Sequence, residues 1–208
     1  MESFIPSNKT SKDRISVMMD TLVLLFFPLM IVAISGVILF SLFPNSETLN
    51  LLIIAISMGL GFCILPYLYL KRQYNVEFTS FGIKSLSKLD CLLLLLVFGG
   101  VSSYLLWTGE TYSFVFLNSV QMLIVASTEE FWARGAICYI LSKINNNPWF
   151  IIIVSSICFA FLTHINEPFI DNLIYRLPGA LIMGFIFVKT KNLVYTILFH
   201  FSYNMLTL

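Results

Sequence analysis

Apolar residues run along this chain in seven blocks, at about residues 21–43, 49–70, 91–107, 112–141, 149–165, 172–188 and 193–208, separated by short polar stretches. A helix needs roughly 20 residues to cross a bilayer, and the last three blocks are short against that length. None of the blocks alternates apolar and polar residues over about ten positions, the signature of a membrane barrel strand. The pattern therefore predicts an all-α, polytopic integral membrane helix bundle with about seven transmembrane helices.

Composition agrees with the pattern. Hydrophobic residues make up 58% of the 208 positions and charged residues 11%, against roughly 25% charged in an average soluble domain. Residues 1–15 are polar and read as a cytoplasmic N-terminal segment, and 16–208 as a single membrane domain without internal repeats. The first apolar block is longer than the core of a signal peptide and reads as a true span. Cys63, Cys91, Cys138 and Cys158 lie in or beside apolar blocks without metal-type spacing and read as ordinary buried thiols. Nothing in the charge pattern points to nucleic acid; the partners expected are the lipid bilayer and a peptide or membrane-protein substrate.

The placement of charge gives the orientation. Lys9, Lys12, Arg14, Lys71, Arg72, Lys84, Lys88, Lys143, Lys189 and Lys191 all fall in alternate loops or at the block ends that face them. The other loops, 44–48, 108–111 and 166–171, contain no Lys or Arg. The positive-inside rule then puts the N-terminus in the cytoplasm, in a cell membrane expected to be bacterial. The segment 71–90, with Phe78, Phe81, Ile83 and Leu86 among four basic residues, suits either a stretch lying on the membrane surface or a plain loop.

Two of the twelve basic residues, Arg134 and Arg176, fall inside apolar blocks. Ionisable groups at such positions are costly and mark functional sites by default. In "STEEFWARG" (127–135), Glu130 and Arg134 are four apart and share a helical face, so they can neutralise each other. Glu129 is rotated by about 100° and has no such partner on its own helix, which leaves it free to act as a base. Both histidines of the chain, His164 and His200, also lie in apolar surroundings, and Asn204 follows His200 by one turn. Interhelical hydrogen bonding alone accounts for Glu130 with Arg134, but it gives no reason for Glu129, His164 and His200. One Glu, two His and one Asn from three helices can activate water and hold an oxyanion. Glu129, His164 and His200 could alternatively bind a divalent metal such as zinc as a His₂Glu set with an open position. For Arg176, pairing with Glu129 or Glu167, contact with a substrate carboxylate, and snorkelling to an interface stay open.

These residues resemble the CAAX prenyl protease and bacteriocin-processing family of intramembrane peptidases, also called the Abi family. Glu129, Glu130 and Arg134 resemble its first motif, a Glu pair followed after three residues by Arg. His200 and Asn204 resemble its third, a His followed after three residues by Asn or Asp. The second motif, Phe, three residues, then His, is matched by His164 but has Ala160 in place of Phe, with Phe159 and Phe161 on either side. The resemblance covers about residues 90–208. It implies an intramembrane endopeptidase in which Glu129 and His164 activate water, His200 and Asn204 stabilise the oxyanion, and Glu130 with Arg134 holds the helix and tunes the site. It leaves metal-dependent and glutamate-only mechanisms both open, and it points toward bacteriocin processing or self-immunity. Two other readings use the same residues: a non-catalytic membrane or immunity protein that binds a peptide or partner transporter, and a small transporter with a Glu and His proton relay. On span lengths alone His164 lies near the outer rim and Glu129 and His200 near mid-membrane, so a single site requires "INEPFIDN" (165–172) to dip into the bundle and line a wet cavity.

Overall fold

The computed structural model describes residues 12–43 and 46–207. Most of the polar segment 1–15 therefore lies outside the described residues. Seven continuous helices are present: α1 (Arg14–Leu42), α2 (Glu47–Tyr74), α3 (Lys88–Trp107), α4 (residues 112–144), α5 (Pro148–Leu162), α6 (Phe169–Thr190) and α7 (Leu193–Leu206). Among the described residues there is no strand. Four helices, α1, α2, α3 and α6, are long and apolar enough to cross a membrane, and α5 is a shorter apolar helix. The expectation of an all-helical membrane bundle is met at that level, with four candidate spans rather than seven.

Helix starts are fixed by side chains at positions where backbone N–H groups would otherwise face the membrane boundary without a partner. Asp13 accepts from Ser16 N, Ser46 from Leu49 N, Thr111 from Phe114 N, Asn147 from Trp149 N and Asn192 from Val194 N. Ser87 and Asp90 form a reciprocal capping box at the start of α3. α2 and α6 end in left-handed residues, Asn75 and Lys191.

The centre of the bundle is α4, whose residues 128–142 are continuously buried. The charges of "STEEFWARG" thus face protein on every side and not lipid. Helix α1 covers the later half of α4, α2 runs from its earlier half to its middle, α7 packs on the earlier half, and α5 and α6 pack together beside the middle. A wide π-helical stretch, Phe131–Ile137, follows Glu130 directly, and another, Asn172–Arg176, opens α6. Such turns rotate the following residues relative to a regular helix and are frequent where a side chain must be re-aimed.

Two close approaches seat α1 and α2 against this centre. Pro28 interrupts α1 and cannot bond the carbonyl of Leu24, one turn back. The indole Nε1 of Trp132, itself fully buried, donates to that carbonyl at 2.8 Å. At the same kink a Cβ on Gly61 would lie 2.8 Å from the Pro28 carbonyl and 2.4 Å from Val32, so only glycine lets α2 come this near. At the helix end rich in Lys and Arg, Asp20 of α1 accepts from Tyr69 at 2.6 Å, from Tyr74, and from Lys12 at 2.8 Å. This buried carboxylate sits just before the first apolar block, and hydropathy alone gives no sign of its burial.

The segment between α2 and α3 departs from a surface-lying stretch. Phe78, Ile83 and Leu86 are exposed, but Phe81 is fully buried against Phe131, Tyr139 and Tyr67. Gly82 turns the chain with φ of +81° close under Phe187, and its carbonyl accepts from Leu193 N at 3.0 Å. The segment thus joins the start of α7, through Gly82, to the centre of the bundle, through Phe81.

Trp132→Phe should leave the Leu24 carbonyl buried without a donor and lower stability by about 1–3 kcal/mol, the cost of one orphaned buried group. Reversible unfolding in mixed micelles checks this, and a variant as stable as the parent would show that the carbonyl finds another donor.

Candidate active site

Glu130 and Arg134 have no exposed surface, and His200 and Glu129 retain 4% and 7% exposure. The two oxygens of Glu130 are divided between helices. Oε2 takes Arg134 Nε at 3.3 Å on α4, and Oε1 lies 3.2 Å from His200 Nδ1 on α7. Arg134 Nη1 reaches the hydroxyls of Ser155 at 3.2 Å and Ser156 at 3.4 Å on α5. Ser156 in turn donates to the Ala180 carbonyl of α6 at 2.9 Å. One ion pair thereby links α4, α5, α6 and α7. Arg134 Nη2 has no hydrogen-bond partner, and the guanidinium lies over the face of Phe159 at 5.4 Å, where the ring quadrupole favours a cation.

The other glutamate points elsewhere, as the 100° rotation requires. Glu129 Oε2 lies 3.6 Å from His200 Nε2, beyond a good hydrogen bond but within ion-pair range. His200 therefore has a carboxylate at each ring nitrogen. Phe159 meets the rings of His200 and His164 edge to face, at 5.6 Å and 6.0 Å. Phe159 is thus the aromatic of the imperfect motif, and Ala160 is fully buried without reaching either histidine ring. The extra residue between aromatic and histidine fits because α5 ends at Leu162 and the chain turns before His164.

A cavity of about 470 Å³ collects the remaining residues. Glu129, His164, His200 and Asn204 all line it, together with Val125, Phe159, Asp171, Tyr175, Arg176, Gly179, Met183, Tyr203 and Thr207. Glu130 and Arg134 lie beneath it and do not line it. Arg176 pairs with Glu167 at 3.5 Å, one of the partners expected for it. Residues 165–170 remain exposed, so His164 and Asp171 at the two ends of this connection reach the cavity while the stretch between them does not.

The mismatch in depth is removed by direct contact, since His200 meets Glu129 and Glu130 and shares the ring of Phe159 with His164. At about 1.5 Å per residue, Glu129 stands about 22 Å above the end of α4 and His164 about 24 Å above the start of α5. Leu193 rests on Gly82, whose neighbour Phe81 packs against Gly135, about 13 Å up α4, and His200 lies about 10 Å further along α7. All three side chains reach a common level.

Sequence reasoning named Phe159 and Phe161 beside the motif without choosing between them, and it did not find Ser155 and Ser156 as supports of the site. The two serines carried a signal, since they are the only Ser or Thr residues within the apolar helix α5. Among the described residues no three His, Cys, Asp or Glu side chains come together as a metal-binding group. The ring nitrogens of His200 are turned to Glu129 and Glu130. The four cysteines are free.

Because it would strand Glu130 as a buried charge, Arg134→Ala should cost about 3–5 kcal/mol. Glu129→Ala, at a cavity wall and outside the Glu130 and Arg134 pair, should cost less than half as much. Unfolding of both variants in the same micelles makes the comparison, and equal losses would contradict the division of roles between the two glutamates.

Residues 110–206 match the model of a protein family described as type II CAAX prenyl endopeptidase Rce1-like. Comparison with curated proteins and with solved structures gave no match. The matched segment contains Glu129, Glu130, Arg134, His164, His200 and Asn204 and builds nearly the whole cavity. The match over residues 110–206 to the Rce1-like type II CAAX prenyl endopeptidase model is in keeping with the resemblance carried by the chain's motifs.

Proposed function

We propose that the chain is an intramembrane endopeptidase that hydrolyses a peptide bond with Glu129 as the general base. The observation that carries this reading is the convergence of Glu129, His164, His200 and Asn204 on one cavity, above a buried ion pair that does not touch it. Glu129 takes a proton from a water held between it and His164 as the water oxygen attacks the scissile carbonyl carbon. The carbonyl electrons move to oxygen, and His200 Nε2 and the Asn204 amide donate to the resulting oxyanion. With carboxylates at both ring nitrogens, His200 is suited to donate on both sides: Nδ1 is held by Glu130 and Nε2 is directed at the cavity. Collapse of the intermediate breaks the C–N bond, and Glu129 passes its proton to the leaving nitrogen. Glu130, Arg134, Ser155, Ser156 and Phe159 position these groups without touching substrate.

The substrate in this reading is a membrane or secreted peptide, and processing of a bacteriocin or self-immunity toward one is the role that the family resemblance favours. Every step uses residues of the chain alone.

Comparison of peptide N- and C-termini in membranes and medium from cells expressing the parent or Glu129→Ala tests the activity. Termini that appear with the parent should vanish with Glu129→Ala. Removal of an oxyanion donor should slow cleavage about 10²–10³-fold in Asn204→Ala. Termini that persist unchanged in both variants, at matched folded protein, would overturn the peptidase reading in favour of a non-catalytic binding protein.

A further inference from the structure

The two ends of the bundle differ in charge, and the cavity belongs to only one of them. Lys12 and Arg14 precede α1 or open it, Lys71 and Arg72 close α2, Lys84 and Lys88 lead into α3, Lys143 closes α4, and Lys189 and Lys191 close α6. Following the helices up and down, all nine lie at one end. At the opposite end are the connections 43–46, 108–111 and 163–168, none of which contains Lys or Arg, and their acids Glu110 and Glu167 together with Glu47 and Asp171 just inside the adjoining helices.

The cavity wall comes from the acidic end. Asp171, Tyr175 and Arg176 lie in the first turns of α6, His164 lies in the connection before it, and Tyr203, Asn204 and Thr207 lie in or just past the last turns of α7. Tyr175 is 60% exposed and Thr207 is exposed, whereas Glu129 and His200 at the other limit of the cavity are buried. The cavity thus runs from an open mouth at the acidic end down to the glutamate. From the basic end it is closed by the continuously buried stretch 128–142 of α4 and by Phe81, fully buried against Phe131 and Tyr139. Trp107 and Tyr112, each more than 80% exposed, flank the connection at the acidic end, as aromatic residues do at a membrane–water interface.

The reason for a well at this end is geometric. Helix α5 has 15 residues and reaches only about 22 Å from the basic interface, and α7 has only 14 residues. The hydrocarbon layer is about 30 Å thick, so the reactive level at about 22–24 Å falls in its far third.

We infer that the cavity opens to the side of the membrane opposite the cytoplasm, so that its substrate is a peptide presented from that side, either free after export or as the outward-facing flank of a membrane segment. This rests on the reading of the cavity as a peptidase site only for the word substrate; the sidedness rests on charge and geometry. Basic residues are retained on the cytoplasmic side, and the described loops and the helix ends that face them carry nine Lys and Arg at one end against Arg176 alone at the other. Water can enter the well from outside without crossing the bundle. Asp171 and Arg176 line the cavity mouth, and Glu167 pairs with Arg176 at 3.5 Å, so the acids at the mouth exceed the one cation, which favours exported peptides of cationic character.

Single cysteines introduced into a variant lacking the four native ones give the test. A membrane-impermeant maleimide applied to intact cells should label Thr207→Cys and Glu110→Cys, and should label Lys84→Cys and Lys191→Cys only after permeabilisation. Two positions at each end keep the result readable if one variant does not accumulate. Labelling of Lys84→Cys and Lys191→Cys in intact cells with Thr207→Cys protected would overturn the inference, whatever the peptidase assay gives. Outward labelling combined with termini that do not depend on Glu129 would keep the sidedness and reject the peptidase. If both hold, prior labelling of Thr207→Cys in intact cells should abolish the Glu129-dependent termini, and those termini should be found in the medium or on outward-facing segments.

Discussion

Glu130 and Arg134 form an ion pair with no water around it, and most of the bundle is arranged to make that tolerable. Two charges removed from solvent cost several kcal/mol each unless attraction and hydrogen bonds offset the loss. Here the offset comes from four helices at once: His200 from α7, Ser155 and Ser156 from α5, and Ala180 from α6 by way of Ser156. The pair therefore acts as a hub. Any rotation of α4 would break contacts to three other helices, which is how a carboxylate one residue away, Glu129, can be held in a cavity wall with no partner on its own helix. The energetics of the structure and the position of the reactive group are one problem.

A second constraint is the backbone. Within a membrane each free carbonyl must find a donor inside the protein. Pro28 creates such a carbonyl at Leu24, and the donor is Trp132, two residues after Glu130. The repair of a kink in α1 thus fixes the helix that carries the charges. Asp20, with Tyr69 and Tyr74, ties α1 to α2 at the other end of the same interface. Both helices lie outside the segment that matches the Rce1-like family, yet they hold its central helix by specific polar contacts and not by apolar contact alone.

What the sequence makes legible is local. The seven apolar blocks become seven helices, because block length and a capping residue are properties of adjacent positions. The pairing of Glu130 with Arg134 is legible for the same reason, being a matter of helical spacing. The level of His164 relative to Glu129 is not, because it depends on how α5 and α7 pack beside α4, with Phe159 between the two histidine rings and His200 against Glu129. Span counting places each histidine from its own helix ends and cannot see such packing. The choice of Phe159 over Phe161 escapes for a related reason. A motif read by spacing assumes that the helix continues to the histidine, whereas α5 stops two residues short and the turn absorbs one extra position. Ser155 and Ser156 were visible as polar residues in an apolar helix, but their partner lies on a different helix.

The same packing joins the fold to the chemistry. A regular bundle of seven full-length spans would bury Glu129 in packed side chains with no room for water or peptide. Ending α5 early removes packing from one end while leaving the other closed. The wide turns at Phe131–Ile137 and Asn172–Arg176 then aim Arg134 away from the resulting space and Arg176 into its wall. A polar cavity in a bilayer has to be lined by protein on every side but one, and the open side is set by which helices are short. In this chain the short helices end together at the face whose loops lack basic residues. The asymmetry in basic charge between the two ends is therefore matched by an asymmetry in packing, and Glu129 lines the cavity at the loosely packed end.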